Sequence, residues 1–178
     1  MEKGQALINA MLSQHRNLTP YEQVVRILGL DFLEYSMLIS SGFKLPGVID
    51  WRESGTIYIY AMKHRDLSGY IFEDLVIYGI NSEEAKTPTI SLKDITVHGR
   101  LTMDNLQVNL DNVHVANLRC RHLSNTTLDR LDIIDPGNAV VQIEHCPNLT
   151  SVPQQFYNAR MVQIMDCGNV EDYDNENI

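Results

Sequence analysis

One short phrase occurs twice in the C-terminal third of the chain, as VQIEHCPN at Val141 to Asn148 and as VQIMDCGN at Val162 to Asn169, a spacing of 21 residues. A looser copy, LDIIDPGN, runs from Leu131 to Asn138. Recurrence at a short fixed period means that each unit is one supersecondary element, able to bury its apolar side only against its neighbours. Val141 and Ile143, like Val162 and Ile164, alternate with Gln142 and Gln163, which is the period of an extended strand. One row is therefore expected to face a core. Cys146 and Cys167 fall at equivalent bends, where a small thiol can be buried while Asn148 or Asn169 bonds free backbone groups. If these units stack at strand spacing, the two cysteines lie one above the other.

Strand-like texture extends upstream. Ile57, Tyr58, Ile59 and Tyr60 alternate residues of high β propensity, and Leu75 to Tyr78 repeat that character before Gly79. Ile95 with Val97, Leu106 with Val108, and Val113 with Val115 follow. Ile57, Leu75, Ile95, Val113 and Leu131, taken as register marks, give steps of 18, 20, 18 and 18 residues, close to one coil each. The next step, Leu131 to Val141, is only 10 residues, which leaves either a connecting leg or a slip of register at Pro136-Gly137. Asn105, Asn112, Asn117, Asn125, Asn138, Asn148 and Asn169 fall mostly where strands should bend, and Asn tolerates the left-handed backbone that bends need.

The run VVQIEHCPNLTSVP, Val140 to Pro153, resembles the cysteine-containing leucine-rich repeats in its strand, its Cys-Pro-Asn-Leu turn and its Leu-Thr-x-x-Pro return. That resemblance implies a short solenoid in the C-terminal part. The N-terminal part reads differently. Ile8, Met11 and Leu12 have helical spacing within Gln5 to Gln14, and Thr19-Pro20-Tyr21-Glu22 is a helix start with a capping Thr, a Pro at the first helical position and a Glu able to reach back. A further helix is expected from Asp31 towards Gly42. VVRILGLDFLEYSMLISSGFKLPG, Val24 to Gly47, resembles the helix-turn-helix of the excisionase and mercury-resistance-regulator families, which implies DNA binding. The would-be recognition helix begins Phe32-Leu33-Glu34-Tyr35-Ser36-Met37 and has no Lys, Arg, Asn or Gln to read base edges. The expected fold class is α+β. A small helical, helix-turn-helix-like cap of residues 1–50 precedes a leucine-rich-repeat-like or irregular β-solenoid of residues 55–170, with an acidic tail at 171–178.

Charge divides along the same line. Residues 1–65 carry 7 Lys/Arg and 6 Asp/Glu, for +1, and residues 66–178 carry 7 and 17, for -10. An acidic repeat half repels phosphates and favours basic partners. The odd count of 3 cysteines is not a secreted disulfide framework. No apolar run has membrane-spanning length and the first residues lack a signal-peptide pattern, so a cytoplasmic location is expected.

Reactive constellations are not apparent. There is no phosphate loop, Gly-x-Ser-x-Gly or His-Glu-x-x-His. Cys120-Arg121-His122 and His145-Cys146 lack the paired spacing of a zinc ribbon, so no metal, cofactor or catalytic residue is assigned. Asp129, Asp132, Asp135 and Glu144 are the acids a β-helix carbohydrate-active enzyme would use. Trp51, Tyr58, Tyr60, Lys63, His64 and Arg65 gather aromatic and basic groups that suit an interface. The function expected is non-catalytic binding of another protein, as an adaptor or inhibitor of the kind phages and mobile elements encode. A DNA-binding regulator acting through residues 24–47 is the alternative, and the carbohydrate-active enzyme the second.

Overall fold

The structure, a computed structural model, describes residues 2–14, 34–35, 37–38, 41, 49–61, 65–80 and 87–177. Among those residues α1 (Glu2–Ser13) is helical along its length, Glu34, Tyr35, Met37 and Leu38 are helical too, and there are eleven strands: β1 (Ile49–Asp50), β2 (Thr56–Ala61), β3 (Arg65–Ser68), β4 (Tyr70–Phe72), β5 (Asp74–Gly79), β6 (Thr89–Asp104), β7 (Gln107–Arg121), β8 (Leu131–Ile133), β9 (Val140–Glu144), β10 (Met161–Met165) and β11 (Tyr173–Glu176). α1 covers most of the helix expected at Gln5 to Gln14. The segment 24–47 lies almost wholly outside the described residues, as do the helix starts assigned at Thr19 and Asp31.

The expected fold class is corrected. The described chain is mostly strand with little helix, and its strands join into a single open mixed sheet, in which only β11 runs antiparallel to its neighbour. Among the described residues a helical unit on a leucine-rich-repeat-like solenoid is not what forms. A leucine-rich repeat alternates one strand with a turn and a return, whereas β6 and β7 stay extended for 16 and 15 residues and pair with each other along three successive stretches. The physical reason lies in the sequence of β6. Ile90 and Leu92, Ile95 and Val97, and Leu101 and Met103 are all buried; the alternation slips phase at Asp94 and is interrupted around Gly99, where the register with β7 shifts, instead of stopping. The segments after each slip keep their apolar alternation, so they remain strands.

Each slip is a corner, and the corners sort the pairing into three rows. In the first, β3 pairs with the start of β6, which pairs with the start of β7. The second runs from β1 through β4 and the middles of β6 and β7 to β8. The third and longest runs β2, β5, the ends of β6 and β7, β9 and β10, and β11 closes it. The register marks proposed from the sequence cross these rows. Ile57 does pair with Leu75, but Leu75 pairs with Leu101 in the third row, while Ile95, Val113 and Leu131 form a column of the second. The short step from Leu131 to Val141 is the passage from the second row to the third within one layer.

Two inward columns of the third row make the longest part of the core. Leu75, Leu101, Leu118, Val141 and Val162 form one, with Ile57 partly buried at its end; Ile59, Ile77, Met103, Cys120, Ile143 and Ile164 form the other. Each of these aliphatic side chains contributes on the order of 1.5–3 kcal/mol by leaving water. The phrase repeated in the sequence sits here, with Val141 opposite Val162 and Ile143 opposite Ile164. One buried polar side chain patches the first row after β7. Asn125 accepts from Val108 N–H at 2.8 Å and donates to Val108 O at 2.7 Å, replacing both backbone partners that a further strand would offer.

At the other end Trp51, Tyr70 and Phe72 are buried, and the Tyr35 ring lies 6.0 Å from Trp51 and 5.5 Å from Tyr70. The acidic end also joins the sheet, Tyr173–Glu176 pairing with β10 while the Tyr173 ring meets Tyr157 edge-on at 5.0 Å. Among the described residues no helix is long and apolar enough to cross a membrane.

The paired isoleucines give a direct test of the register. Ile143→Ala and Ile164→Ala should each cost about 2–5 kcal/mol in chemical denaturation, as core truncations that leave a cavity do. Their double variant should depart from additivity because the two side chains touch across one rung. Gln163→Ala, partly exposed on the opposite face of the same strand, should stay within about 0.5 kcal/mol of the parent.

Candidate interaction surface

Because strand side chains alternate, the two inward columns of the third row imply two outward ones. The first reads Tyr58, Val76, Thr102, Arg119, Gln142 and Gln163 from one end to the other; the second reads Tyr60, Tyr78, Asp104, Arg121, Glu144 and Met165. Parallel pairing puts like positions side by side, so this face carries ladders. Gln142 donates to Gln163 at 3.4 Å, and Arg121 reaches Glu144 at 3.3 Å. The end at β2 and β5 is aromatic. Tyr58, Tyr60, Tyr78 and Ile80 are 52%, 58%, 36% and 40% exposed, and the rings of Tyr60 and Tyr78 stack at 5.9 Å.

Of the interface residues read from the sequence, Tyr58 and Tyr60 lie in this patch. Trp51 does not: it is 2% exposed, enclosed with Tyr35 and the end of the apolar core. Its assignment to an exposed face is therefore corrected, and the reason is packing, since the largest apolar side chain near an open end of a stack gains most by covering it. Lys63 and His64 lie outside the described residues. Arg65 is placed by its backbone alone, opposite Ile90 in the first row rather than the third. Tyr78, one of the aromatic residues gathered in this part of the sequence, was not assigned to the contact face, and Ile80 was missed. Their signal was the matching alternation of Ile57 to Tyr60 and Leu75 to Tyr78, which sets Tyr78 beside Tyr60 once the two strands are paired in parallel.

The corner that ends this face carries the other concentration of chemistry. Asn105, His122, His145 and Asp166 occupy equivalent places, one per layer, with φ of 60°, 49°, 54° and 52°. Asn105 donates to Gly79 O at 2.9 Å. His122 Nδ1 donates to Asp104 Oδ1 at 2.9 Å, and His145 Nδ1 lies 3.2 Å from Asp166 Oδ2. The imidazoles are nearly parallel, 15° apart in plane, with centroids 5.4 Å apart.

Immediately behind this corner the thiols point inward. Cys120, Cys146 and Cys167 are buried and free. Cys146 Sγ donates to Glu144 O at 3.4 Å and Cys167 Sγ to Met165 O at 3.1 Å, so the two repeats of the phrase use their cysteine in the same way. The asparagines of the phrase differ in use: Asn148 donates its side-chain amide to Ser124 O at 3.4 Å, while Asn169 donates its backbone N–H to Leu149 O at 3.0 Å. Among the described residues no group of three or more His, Cys, Asp and Glu side chains converges as a metal cage. Three of the acids considered for glycoside chemistry, Asp132, Asp135 and Glu144, are engaged at separate places. Asp132 is in the second row beside His114 and Gln155, Asp135 accepts from Asn138, and Glu144 is held by Arg121 in the third row.

Burial pushes the Cys120 thiol well up and the Cys146 thiol up to about 12, the neighbouring thiols adding to the effect in both cases. An unfolded thiol ionises near 9, so between that value and about 12 the unfolded chain binds fewer protons than the folded one. Stability should therefore be unaffected by these thiols below that window and fall as pH rises through it. Urea titrations across the window check the sign, and the loss should shrink in Cys146→Ala. At mildly alkaline pH the native protein should also leave all 3 thiols unlabelled by a thiol reagent that counts them in denaturant.

Comparison with protein-family models, with curated proteins and with solved structures finds no match, and the reading of this surface rests on its geometry and chemistry.

Proposed function

We propose that this chain is a non-catalytic protein-binding module, and that its docking surface is the outer face of β2 and β5 around Tyr58, Tyr60, Tyr78 and Ile80. One observation carries the reading: three tyrosines and an isoleucine stand exposed at one end of a face whose other outward residues, Val76 and Met165 apart, are polar or charged. Two stacked rings on neighbouring strands lose little freedom when a partner covers them, which is what makes rigid aromatic groups the usual centres of binding energy. The wide parallel sheet beneath supplies the rigidity, since each outward tyrosine sits between inward residues locked in the core.

Charge selects the kind of partner. The chain carries a net -9, and Asp74 and Asp104 flank the aromatic patch in register with Thr56 and Tyr78. A protein presenting a basic surface, with an apolar centre to receive the rings, is the complementary occupant. Its association should be accelerated at low salt and slowed as salt screens the field.

The test begins with capture from the host using the whole chain, followed by titration of the purified partner against the parent and against Tyr58→Ser with Tyr60→Ser. Loss of two central aromatic contacts should weaken the complex by about 2 kcal/mol or more per ring, with the melting temperature nearly unchanged because neither ring is in the core. Parent-like affinity in the double variant would remove the aromatic patch from the interface.

A further inference from the structure

We propose that the stacked pair His122 and His145 is a binding site for a divalent transition metal of the kind that prefers imidazole, zinc or copper(II). The argument starts from the hydrogen atoms. The ionised carboxylates of Asp104 and Asp166 can only accept: Asp104 Oδ1 takes the Nδ1–H of His122 at 2.9 Å, and Asp166 Oδ2 lies 3.2 Å from Nδ1 of His145, which favours the proton on that nitrogen. In the neutral rings Nε2 then carries the lone pair. Among the described residues neither Nε2 has a protein partner, and the side chains are 49% and 47% exposed. A carboxylate on one nitrogen and an open lone pair on the other is the arrangement that orients a metal-binding histidine and raises its basicity.

Layer stacking then supplies the second ligand. Parallel pairing places His145 one layer beyond His122, with the ring planes within 15° of each other and the centroids 5.4 Å apart, so both imidazoles stand at the same corner. A metal about 2.0–2.1 Å from each nitrogen draws the outer ring edges together, a rotation that half-exposed side chains pivoting on their carboxylate contacts allow. Water completes the shell. The field also favours a cation: Asp104 and Asp166 lie at the two ends of the pair, Asp172 accepts from Asp166 N–H at 2.9 Å, and the neighbouring Arg121 is offset by Glu144. Two neutral imidazoles among carboxylates suit these borderline ions.

The experiment is a calorimetric titration of the whole chain with zinc chloride. Asn is the substitution of choice, because it tolerates the left-handed backbone at both positions. The parent should bind one equivalent saturably, and His122→Asn and His145→Asn should each weaken binding by more than about tenfold. Asp166→Asn, which removes only the orienting carboxylate, should cost about tenfold. Copper(II) electron paramagnetic resonance should report coupling to two nitrogens in the parent and to one in each histidine variant. Unchanged circular dichroism and melting of the metal-free variants establish that folding is intact. The proposal is overturned if the parent shows no saturable binding, or if the histidine variants keep the parent affinity, in which case the ion sits on other histidines such as His98 or His114.

Discussion

A strand can point every second side chain inward only while it stays straight, and a chain that must turn back on a small core has to bend within a few residues. The fold depends on solving that conflict. Except at the corner around Gly99, its solution is a single residue in left-handed backbone, placed so that the next side chain is apolar and buried: Asp94 before Ile95, Asn105 before Leu106, Asn112 before Val113, His122 before Leu123, His145 before Cys146 and Asp166 before Cys167. That conformation costs roughly 1–2 kcal/mol for an L-residue. Side-chain bonds offset it where the structure stacks one corner on the next, as when Asn112 donates to Asp94 at 2.7 Å and Asn105 to Gly79 O. Glycine takes the opposite role at the tightest of these contacts. A Cβ on Gly79 would fall 1.9 Å from Asn105 O, so the corner of one layer closes directly on the backbone of the previous one.

Once the corners are fixed, the division between stability and function follows from the strand period. Inward positions of the third row form continuous apolar columns, and outward positions form columns whose members contact their neighbours along the stack. The Gln142 and Gln163 pair and the Arg121 and Glu144 pair contribute little, being exposed or half-exposed. They are free to vary without disturbing the core. The aromatic end is the exception, since Tyr58, Tyr60 and Tyr78 expose area that neither the core nor solubility requires.

The parts of this arrangement visible in the sequence were those with local causes. Alternation identified the strands, and the doubled phrase placed Val141 against Val162 before any pairing was known. Burial of Cys146 and Cys167 and exposure of Tyr58 and Tyr60 followed from the same period. What escaped was the meaning of the phase slips. Leu92 to Ile95, Leu110 to Val113 and Cys120 to Leu123 are apolar steps of three, which look like breaks between strands but are corners within one continuous sheet. The fold of strands and returns came instead from the resemblance over Val140 to Pro153, and without the corners the register mark from Leu75 to Ile95 crossed from one row to another. Trp51 escaped for a different reason. Its fate is decided by the end of the stack against which it packs, and nothing within its own segment specifies that end.

The corners also separate what the fold needs from what it merely permits. Four layers place Asn105, His122, His145 and Asp166 at one equivalent position, and all four adopt the same backbone. Asn and Asp satisfy that geometry with short side chains, so the backbone alone does not call for an imidazole. Two adjacent layers nevertheless carry one, each with an aspartate carboxylate within 3.2 Å of Nδ1, and stacking makes the pair nearly parallel. Burial does not account for them either, because both rings are nearly half exposed while the cysteines and leucine that follow the corner fill the interior. Their arrangement lies outside the demands of chain reversal and core packing, and that is the physical ground for assigning the pair a ligand.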